Sequence, residues 1–446
     1  MKIAMIILLG VIGVEIALGI LSVKKKSPLY TNKANVRLAE LLIFILLVIS
    51  PIIKWSFRWY GLGLILLIQA IIAVFKALKS KKLTMITKGK TIAKVALKST
   101  LLLFMLVPAL VFPQDNEIAP TGDYGVKTVT YTWTDESRDE TFTKEADHRS
   151  ITVQFWYPTK EKESEEKAED KFPLVIFSHG AFGIRASNTS TYTELASHGY
   201  VVCSIDHTYH ATFTKQTDGK MLLFDQGFMN EVNKLLIDEA GQMGEEKYEM
   251  TQGWLKLRTE DMTFCLNQIK SLVELPSDKD EVFSMIDLEK IGLMGHSLGG
   301  ATAADLGRRG LEIKAVAVID GTMLGEETGF ENGQEQVTTE PYPVPILNFY
   351  NGESYIEIKN IEDIYPNTIA SASQKDSYQI AIMNAGHMNF TDLPMVAPIL
   401  AKALGTSSVN PKACMKYVNQ TILEFFDGYL KGEPINLPKE EVITIK

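Results

Sequence analysis

The sequence predicts an α/β domain with a mostly parallel sheet flanked by helices, preceded by an all-α region of four transmembrane helices. Two features lead to this prediction. Four long apolar stretches fall within the first 112 residues, whereas the later part alternates short apolar runs with helical segments. Short continuous apolar runs are typical of parallel strands that are buried on both faces. We therefore predict a transmembrane region over residues 1–113, a linker over 114–125 and the α/β domain over 126–446.

Composition limits the classes of function. At 446 residues the chain is long enough for two or three domains. Its net charge of −9 argues against nucleic acid as a partner, because binding to phosphates requires an excess of lysine and arginine. The three cysteines, Cys203, Cys265 and Cys414, show no C-x-x-C spacing. We therefore expect no disulfide framework, no metal site and no bound cofactor.

The four apolar stretches each predict one helix. They cover approximately residues 3–23, 38–53, 60–75 and 95–112. A helix needs about 17–25 residues to cross the hydrocarbon core of a bilayer. The first stretch has this length, and the middle two reach it with their flanking residues. The fourth is interrupted near its start by Lys94 and Lys98, whose ammonium groups would have to reach the lipid headgroups. A cleaved signal peptide is the alternative for the first stretch.

Lysine and arginine residues predict the orientation in the membrane. Loops 24–37 and 76–94 carry five and seven of them, whereas the turn between the second and third stretches carries only Lys54 and Arg58. Loops rich in positive charge stay in the cytoplasm. We therefore predict a multi-pass protein of the cell membrane whose termini, and with them the α/β domain, lie outside the cytoplasm. A soluble helical bundle is the alternative, and Glu15 in the first stretch has no explanation from the sequence.

The segments of the α/β domain follow a regular order. Residues 126–134 and 150–157 alternate like paired, half-exposed strands, and the highly charged residues 160–171 predict a solvated hairpin tip. Buried strands are predicted at 172–177, 200–205, 290–294, 313–319, 344–350 and 378–383, with a final helix at 415–430. Residues 220–269 predict two or three amphipathic helices. Ordinary packing on the sheet is the simpler interpretation of these helices, and a lid or a membrane-facing surface is the alternative.

A short glycine-rich turn at residues 295–299, GHSLG, separates a predicted strand from a predicted helix. A G-x-S-x-G turn in this setting is a nucleophile elbow, in which glycine is needed on both sides and the serine lies at the tip. The pattern alone occurs by chance in about one protein of this length in seven. An ordinary turn before a helix is therefore the alternative, and the rest of the chain must decide between them.

The candidate acid and base come from chain order. In this architecture the acid follows the nucleophile, here Ser297, and the histidine follows the acid. Of the seven histidines, His387 alone lies after Ser297, and it follows a predicted strand. Asp320 directly follows the strand at 313–319, which makes it the best candidate for the acid. The other aspartates considered between the two lie in the elbow helix or in polar loops: Asp305, Asp363 and Asp376.

The strand at 172–177 ends in Ser178-His179-Gly180, where hydrolases of this architecture place one donor to the oxyanion. The second donor follows the nucleophile. We therefore predict an oxyanion hole formed by the backbone N–H groups of Ala181 and Leu298. The H-x-x-H spacing of His207 and His210 lacks a nearby third ligand, so we expect no metal site there.

Five stretches in order, FSHGAFGIR, LASHGYVVCSIDH, GHSLGGATA, AVIDG and GHMNFTD, resemble the platelet-activating factor acetylhydrolase group of α/β hydrolases, of the plasma and intracellular type II kind. The resemblance covers roughly residues 124–429. It implies the α/β-hydrolase fold and calcium-independent hydrolysis of short or oxidised sn-2 acyl chains of phospholipids. By position, it also implies one nucleophile, one acid, one base and two oxyanion donors: Ser297, Asp320, His387, Ala181 and Leu298.

The sequence therefore predicts a membrane-anchored serine esterase or lipase that acts in lipid degradation. An ester or phospholipid and the bilayer itself are its expected partners, and protein partners stay open. One alternative is a general carboxylesterase or polyester hydrolase without lipid preference; another is a hydrolase-like membrane sensor without catalysis. The animal enzymes lack the four preceding helices, and their docking helices are not recognisable here, so substrate choice does not carry over from the family.

Overall fold

The computed structural model describes residues 2–27, 29–50, 52–79, 87–114, 117–159, 171–238, 243–275, 280–310, 312–361 and 363–445. The chain divides into two compact units. Met1–Glu117 and Met395–Ala401 form the first unit, and Ile118–Pro394 and Lys402–Lys446 form the second. The division after Glu117 falls inside the predicted linker. The predicted hairpin tip at 160–171 lies, except for Lys171, outside the described residues.

Four helices make up most of the first unit: α1 (Lys2–Lys24), α2 (Tyr30–Ile49), α3 (Phe57–Lys79) and α4 (Lys88–Val111). α1 packs against α4, α2 against α3, and α3 against α4. The interior is apolar, with Leu62, Leu102 and Leu106 fully buried. The outward faces are apolar as well, since Leu9 is 66% exposed and Phe104 is 69% exposed. Apolar residues on both faces are typical of helices surrounded by lipid.

Three of these helices, α1, α3 and α4, are long and apolar enough to cross a membrane. By this measure of length and composition, three of the four predicted spans are supported, and α2 falls short of it. α2 has 20 residues, and every 18-residue window of it contains three charged residues, Lys33, Arg37 and Glu40. The apolar second half of α2 predicted a span, whereas the three charged residues lie in its first turns.

The charges of α2 explain Glu15 of α1. The Glu15 carboxylate accepts hydrogen bonds from Arg37 of α2 and, at 3.2 Å, from Lys98 of α4. Arg37 also donates to Glu40 at 2.6 Å. Since Glu15 and Arg37 are both buried, their ion pair links α1 and α2 away from solvent, and the more exposed Lys98 adds α4. The sequence contained these residues, but only the packing of the helices brings them together.

After Glu117 the described residues form thirteen strands and ten α-helices, two of which extend into the Met395–Ala401 segment of the first unit. The strands are β1 (Gly125–Asp139), β2 (His148–Thr159), β3 (Phe172–Ser178), β4 (Val201–Asp206), β5 (Phe213–Lys215), β6 (Met221–Leu223), β7 (Ile286–His296), β8 (Ile313–Ile319), β9 (Glu327–Glu331), β10 (Gln334–Val337), β11 (Ile346–Asn351), β12 (Ser377–Ile382) and β13 (Glu440–Ile443). The helices are α5 (Thr189–Ser197), α6 (Gln226–Leu236), α7 (Glu245–Glu274), α8 (Glu281–Ser284), α9 (Leu298–Arg308), α10 (Gly352–Lys359), α11 (Pro366–Ser373), α12 (Leu393–Val396), α13 (Pro398–Ala403) and α14 (Pro411–Phe426).

Nine strands form one sheet in the order β1-β2-β4-β3-β7-β8-β11-β12-β13. β1 and β2 pair antiparallel with each other and β2 pairs antiparallel with β4; the remaining neighbours are parallel. The prediction of a mostly parallel sheet flanked by helices is therefore confirmed. Edge strand β13 was not predicted, because its sequence, EEVI, becomes recognisable as a strand only through its pairing with β12.

The sheet is buried on both faces. Along β3, Leu174 and Ile176 belong to the core shared with α7, whereas Val175 and Phe177 belong to the core shared with α5 and α14. All seven residues of β3 are buried, which explains its uninterrupted apolar sequence. α7 extends five residues beyond the segment at 220–269 from which helices were predicted, and α14 ends four residues before the predicted end at 430.

Candidate active site

The turn after β7 contains a single residue between strand and helix. β7 ends at His296 and α9 begins at Leu298, so Ser297 forms the whole connection with φ 55° and ψ −128°. This backbone conformation is strained for a residue with a side chain. A Cβ at Gly295 would collide with the carbonyl oxygen of Gly299, and one at Gly299 with that of Ser178. The glycines of the predicted elbow are therefore required by the close approach of two backbones.

Asp320 and His387 are brought together from two different strands. Asp320 follows β8, and His387 opens a short 3-10 turn after β12. The Nδ1 atom of His387 lies 2.6 Å from Oδ2 of Asp320. The Asp320 side chain is buried, whereas that of His387 is 40% exposed. The chain brings residues 67 positions apart into contact because the carboxyl ends of parallel strands meet at one edge of the sheet.

Asn351, at the end of β11, completes the surroundings of Asp320. Its backbone N–H donates to Oδ1 and its side-chain amide to Oδ2 of Asp320, both at 2.7 Å. Burial opposes ionisation, but the hydrogen bonds from His387 and Asn351 keep the pKa of Asp320 below its usual value. Asp320 is therefore ionised, Nδ1–H of His387 donates to it, and Nε2 is left as an acceptor. Asn351 was not among the residues predicted from the sequence; its position at a strand's carboxyl end is the signal that could have indicated it.

Among the described contacts, the structure has no hydrogen bond between the side chains of Ser297 and His387. The link between them is His296, whose ring centroid lies 4.5 Å from that of His387. Nε2 of His296 lies 3.1 Å from the carbonyl oxygen of His387. Burial and the neighbouring His387 lower the pKa of His296 to about 3, so its neutral ring donates this hydrogen bond. The residue before the elbow serine therefore holds the loop of His387 in place, a role that the sequence analysis did not predict.

The predicted oxyanion donors belong to the loop after β3 and to the first residue of α9. A Cβ at Gly180 would lie 3.1 Å from Cβ of Ser297, so the loop after β3 contacts the elbow. Among the described residues, neither the backbone N–H of Ala181 nor that of Leu298 has a hydrogen-bond acceptor. Leu298 is the first residue of α9, where a helix leaves its N–H groups unsatisfied. Two free donors beside a strained serine can stabilise a developing negative charge.

Apolar residues surround these donors. Phe228 of α6 lies against Phe182, with ring centroids 4.8 Å apart, and against Trp254 of α7 at 5.2 Å. Leu298 belongs to the same cluster. The two helices predicted from residues 220–269 are present, and both contribute to the wall beside the oxyanion donors. Whether this wall moves as a lid stays a prediction.

His207 and His210, the H-x-x-H pair, are used for hydrogen bonding. Nδ1 of His207 lies 3.0 Å from Asp261 and its Nε2 lies 2.8 Å from Oγ of Ser178. The ring of His210 stacks on Phe228 at 3.8 Å. Within the described parts of the chain, no three histidine, cysteine, aspartate or glutamate side chains come together as a metal site.

Comparisons with known proteins agree on one family. The family model described as platelet-activating factor acetylhydrolase, isoform II, matches residues 148–435. The chain is 25% identical over 277 residues to a platelet-activating factor acetylhydrolase of Cavia porcellus and 24% identical over 273 residues to that of Bos taurus. It is 22% identical over 273 residues to a probable 1-alkyl-2-acetylglycerophosphocholine esterase of Arthroderma benhamiae.

These alignments cover part of each protein. They span 59% of this chain and 59% of the Cavia porcellus protein, 58% and 58% for Bos taurus, and 58% and 61% for Arthroderma benhamiae. Among solved structures, a ferulic acid esterase from Streptomyces cinnamoneus superposes with a TM-score of 0.54 at 22% identity. It covers 72% of this chain and 95% of its own, which identifies the same fold.

Proposed function

The chain belongs to the platelet-activating factor acetylhydrolase family of α/β hydrolases, and on this basis we propose that it is a serine esterase with Ser297 as nucleophile. His387 acts as the base and Asp320 orients it. The observation that carries the proposal is the 2.6 Å hydrogen bond between His387 and Asp320 at the sheet edge where the strained Ser297 lies. A binding protein has no need of this arrangement.

The proposed reaction begins when Oγ of Ser297 attacks the ester carbonyl carbon. His387 takes the serine proton on Nε2 and passes it to the leaving alcohol, and Asp320 stabilises the imidazolium. The Ala181 and Leu298 amides donate to the oxyanion, and loss of one such donor typically lowers turnover about 10²–10³-fold. The acyl group is then bound to Oγ of Ser297. Water gives a proton to His387 and attacks this acyl-serine, and the carboxylic acid leaves as His387 returns the proton to Ser297. Because catalytic hydrogen bonds are often absent without substrate, we expect the bond between Ser297 and His387 to form on substrate binding.

We propose a phospholipid with a short or oxidised sn-2 acyl group as the substrate. The names of the relatives from Cavia porcellus and Arthroderma benhamiae support an acetyl ester of a glycerophosphocholine. The apolar wall of Phe182, Phe228 and Trp254 beside the oxyanion donors supports an apolar part of the substrate there. A general carboxylesterase would not prefer phospholipids to other esters. Competition between a phospholipid and a simple ester therefore distinguishes the two hypotheses.

We also propose that all four helices of the first unit cross the cell membrane and that the esterase domain lies outside the cytoplasm. The length and apolar composition of α1, α3 and α4 support the anchoring, and the burial of Arg37 of α2 against Glu15 supports a crossing by α2. Four crossings put the positively charged loops at 24–37 and 76–94 on the same side of the membrane, which the charge assigns to the cytoplasm. A membrane-impermeant fluorophosphonate probe tests it. Wild-type protein in intact cells should be labelled as strongly as in permeabilised cells, and labelling that requires permeabilisation would overturn the orientation.

The test of catalysis compares the purified full-length protein with Ser297→Ala. Wild type should be labelled by a fluorophosphonate and should release acetate from 1-alkyl-2-acetylglycerophosphocholine in mixed micelles. Ser297→Ala should do neither. If Ser297→Ala is labelled as strongly as wild type, Ser297 is not the nucleophile. If wild type is neither labelled nor active, the hypothesis of a membrane sensor without catalysis is favoured. Equal or faster turnover of nitrophenyl acetate than of the phospholipid would remove the lipid preference.

A further inference from the structure

Arg258 of α7 lies under the loop that carries Ala181, and the proposed reaction does not use it. Its side chain is fully buried. One guanidinium N–H donates to the carbonyl oxygen of His179, and another approaches that of Gly180 at 3.4 Å. Nε donates to Nδ1 of His210 at 3.3 Å. All these acceptors are neutral, which is unusual for a buried guanidinium.

The charge of Arg258 is not neutralised by a direct ion pair. Among the residues that the structure describes, no carboxylate lies within ion-pair distance of its guanidinium. Burial lowers the pKa of Arg258 to about 9, and the nearby charge of Asp261 opposes the shift. The group is therefore still protonated at neutral pH. Burial of a charge without a carboxylate partner costs free energy. The hydrogen bonds from Arg258 to the loop offset part of that cost.

The direction of the Ala181 N–H depends on how the Gly180 carbonyl is held. A trans peptide is planar, so its C=O and N–H point in opposite directions. The carbonyl of Gly180 and the N–H of Ala181 belong to the same peptide. Whatever holds the Gly180 oxygen towards the interior therefore directs the Ala181 N–H away from it. Glycine has wide backbone freedom, and a flip of this peptide would replace the donor by a carbonyl oxygen.

Several hydrogen bonds converge on that carbonyl and its surroundings. Besides Arg258, the Gly180 oxygen accepts from Nδ1 of His179 at 2.6 Å and from the N–H of Gly183 at 3.0 Å. Phe182, with φ 56°, donates its N–H to the carbonyl of His210 at 3.1 Å. The strained loop is therefore fixed by its own backbone, by the His179 side chain within it, and by one charged side chain from another element, Arg258.

We propose that Arg258 is a positioning residue for the oxyanion hole, which holds the His179 and Gly180 carbonyls so that the Ala181 N–H stays directed to the Ser297 side. This inference rests on the proposed esterase function. A charge-assisted hydrogen bond to the Gly180 carbonyl also polarises the peptide and strengthens its N–H as a donor. Arg258 touches no reacting atom, and its effect is expected on the transition state.

Arg149 is a matched control for a purely structural role. It is also a buried arginine, but its guanidinium donates to Asp261 at 2.8 Å and to Glu140 at 3.1 Å, and not to the loop. Arg258→Met, Arg258→Lys and Arg149→Lys should be compared with wild type as full-length protein in micelles. Thermal unfolding identifies the variants that fold. If Arg258→Met does not fold, Arg258→Lys carries the test.

The measurements are kcat and KM for nitrophenyl acetate and the inhibition constant of a trifluoromethyl ketone, which forms an oxyanion adduct. For Arg258→Met we expect kcat to fall about 10²-fold with KM little changed, and the inhibition constant to rise by a similar factor. Arg258→Lys, which keeps a charged donor, should recover part of both losses. Arg149→Lys should leave the inhibition constant unchanged, whatever its stability.

Three results would overturn the inference. The first is that folded Arg258→Met has the kcat of wild type. The second is that kcat of Arg258→Met falls while the ketone binds as tightly as it binds wild type. The third is that Arg149→Lys weakens ketone binding as much as Arg258→Met does. If wild type turns over through Ser297 and the Arg258 variants match it, this inference alone fails. If Ser297→Ala retains wild-type turnover, the proposed function fails, and the inference fails with it.

Discussion

The described residues of the second unit include two serine–histidine–aspartate sets, which differ in burial, hydrogen bonding and backbone conformation. In the first, Oγ of Ser178 lies 2.8 Å from His207, whose Nδ1 lies 3.0 Å from Asp261. All three residues are fully buried. In the second set, only the bond between histidine and aspartate is present, and the histidine side chain, His387, is 40% exposed.

The complete set is the one with no catalytic role in the proposed mechanism. Ser178 is the last residue of a regular strand, and its oxygen has no access to solvent. Ser297, by contrast, stands on a strained turn, and the N–H groups of Ala181 and Leu298 have no acceptor among the described residues. A hydrogen-bonded array of the right residue types is therefore not sufficient for a nucleophile. Exposure, backbone conformation and oxyanion donors distinguish the second set from the first.

The charges around the two aspartates differ as well. Asp261 accepts from Arg149 at 2.8 Å and from Arg138 at 2.9 Å. Although burial opposes it, the charge of Arg149 holds the pKa of Asp261 far below its usual value. Burial lowers the pKa of His207 to about 4, against the effect of its hydrogen bond to Asp261, so His207 takes up no proton near pH 7. Among the described residues, the partners of the Asp320 carboxylate are His387 and the uncharged Asn351, so its charge remains available to an imidazolium.

The largest expected effect separates the two serines. Ser297→Ala should lower kcat/KM for nitrophenyl acetate by about 10⁴–10⁶-fold, because the attacking oxygen is lost. Ser178→Ala should change it less than about tenfold, since only a buried hydrogen bond of about 1 kcal/mol disappears. Initial rates measured side by side, with fluorophosphonate labelling, check both. A Ser178→Ala variant that folds but loses labelling would reverse the assignment of the two sets.

The next effect tests the acid. Asp320→Asn should lower kcat by about 10⁴-fold with little change in unfolding temperature, because the amide favours the wrong tautomer of His387. Asn351→Asp is the accompanying variant: a second carboxylate beside Asp320 should raise the pKa of the pair and shift the pH–rate profile. If Asp320→Asn keeps a tenth or more of wild-type kcat, another residue holds His387.

In the buried set, the corresponding substitution should affect folding. Asp261→Asn leaves Arg149 and Arg138 without their shared carboxylate, and breaking a buried pair in this way costs about 3–5 kcal/mol. Urea unfolding of the full-length protein, followed by the signal of the esterase domain, measures the loss. Asp376→Asn, at an exposed ion pair with Lys439, should cost less than about 1 kcal/mol. Equal costs at the two positions would mean that the buried network contributes nothing to stability.

The smallest expected effect is the pH dependence of stability that His207 contributes. His207 is neutral in the folded protein down to a pKa of about 4, but in the unfolded chain it protonates near its ordinary value of 6.5. The unfolded state therefore binds more protons between these values, and the free energy of unfolding should fall by about 3 kcal/mol as the pH decreases from 6.5 to 4. His207→Gln should flatten this dependence. An unchanged slope in the variant would assign the protons to other groups, of which His296 is the first to examine.

Local chain geometry explains which parts of the site could be predicted from the sequence. The elbow at 295–299 depends on residues next to one another, and apolar runs indicate buried strands whatever their neighbours are. Chain order then left one histidine after Ser297. The family resemblance is confirmed by the match over residues 148–435, and the predicted sheet is confirmed by the strand order. The roles of Ser297, Asp320 and His387 remain the proposal that the experiments above address.

What the sequence by itself determined is the α/β class, the helices of the first unit and the candidate residues at strand ends, because periodicity and turn chemistry are local properties. Only the tertiary structure decided which polar residues meet: Asn351 with Asp320, Arg258 with the loop of Gly180, and Glu15 with Arg37. These partners are separated by 31, 78 and 22 positions. Contacts at such separations depend on strand order and helix packing, and no pattern along the chain encodes them directly.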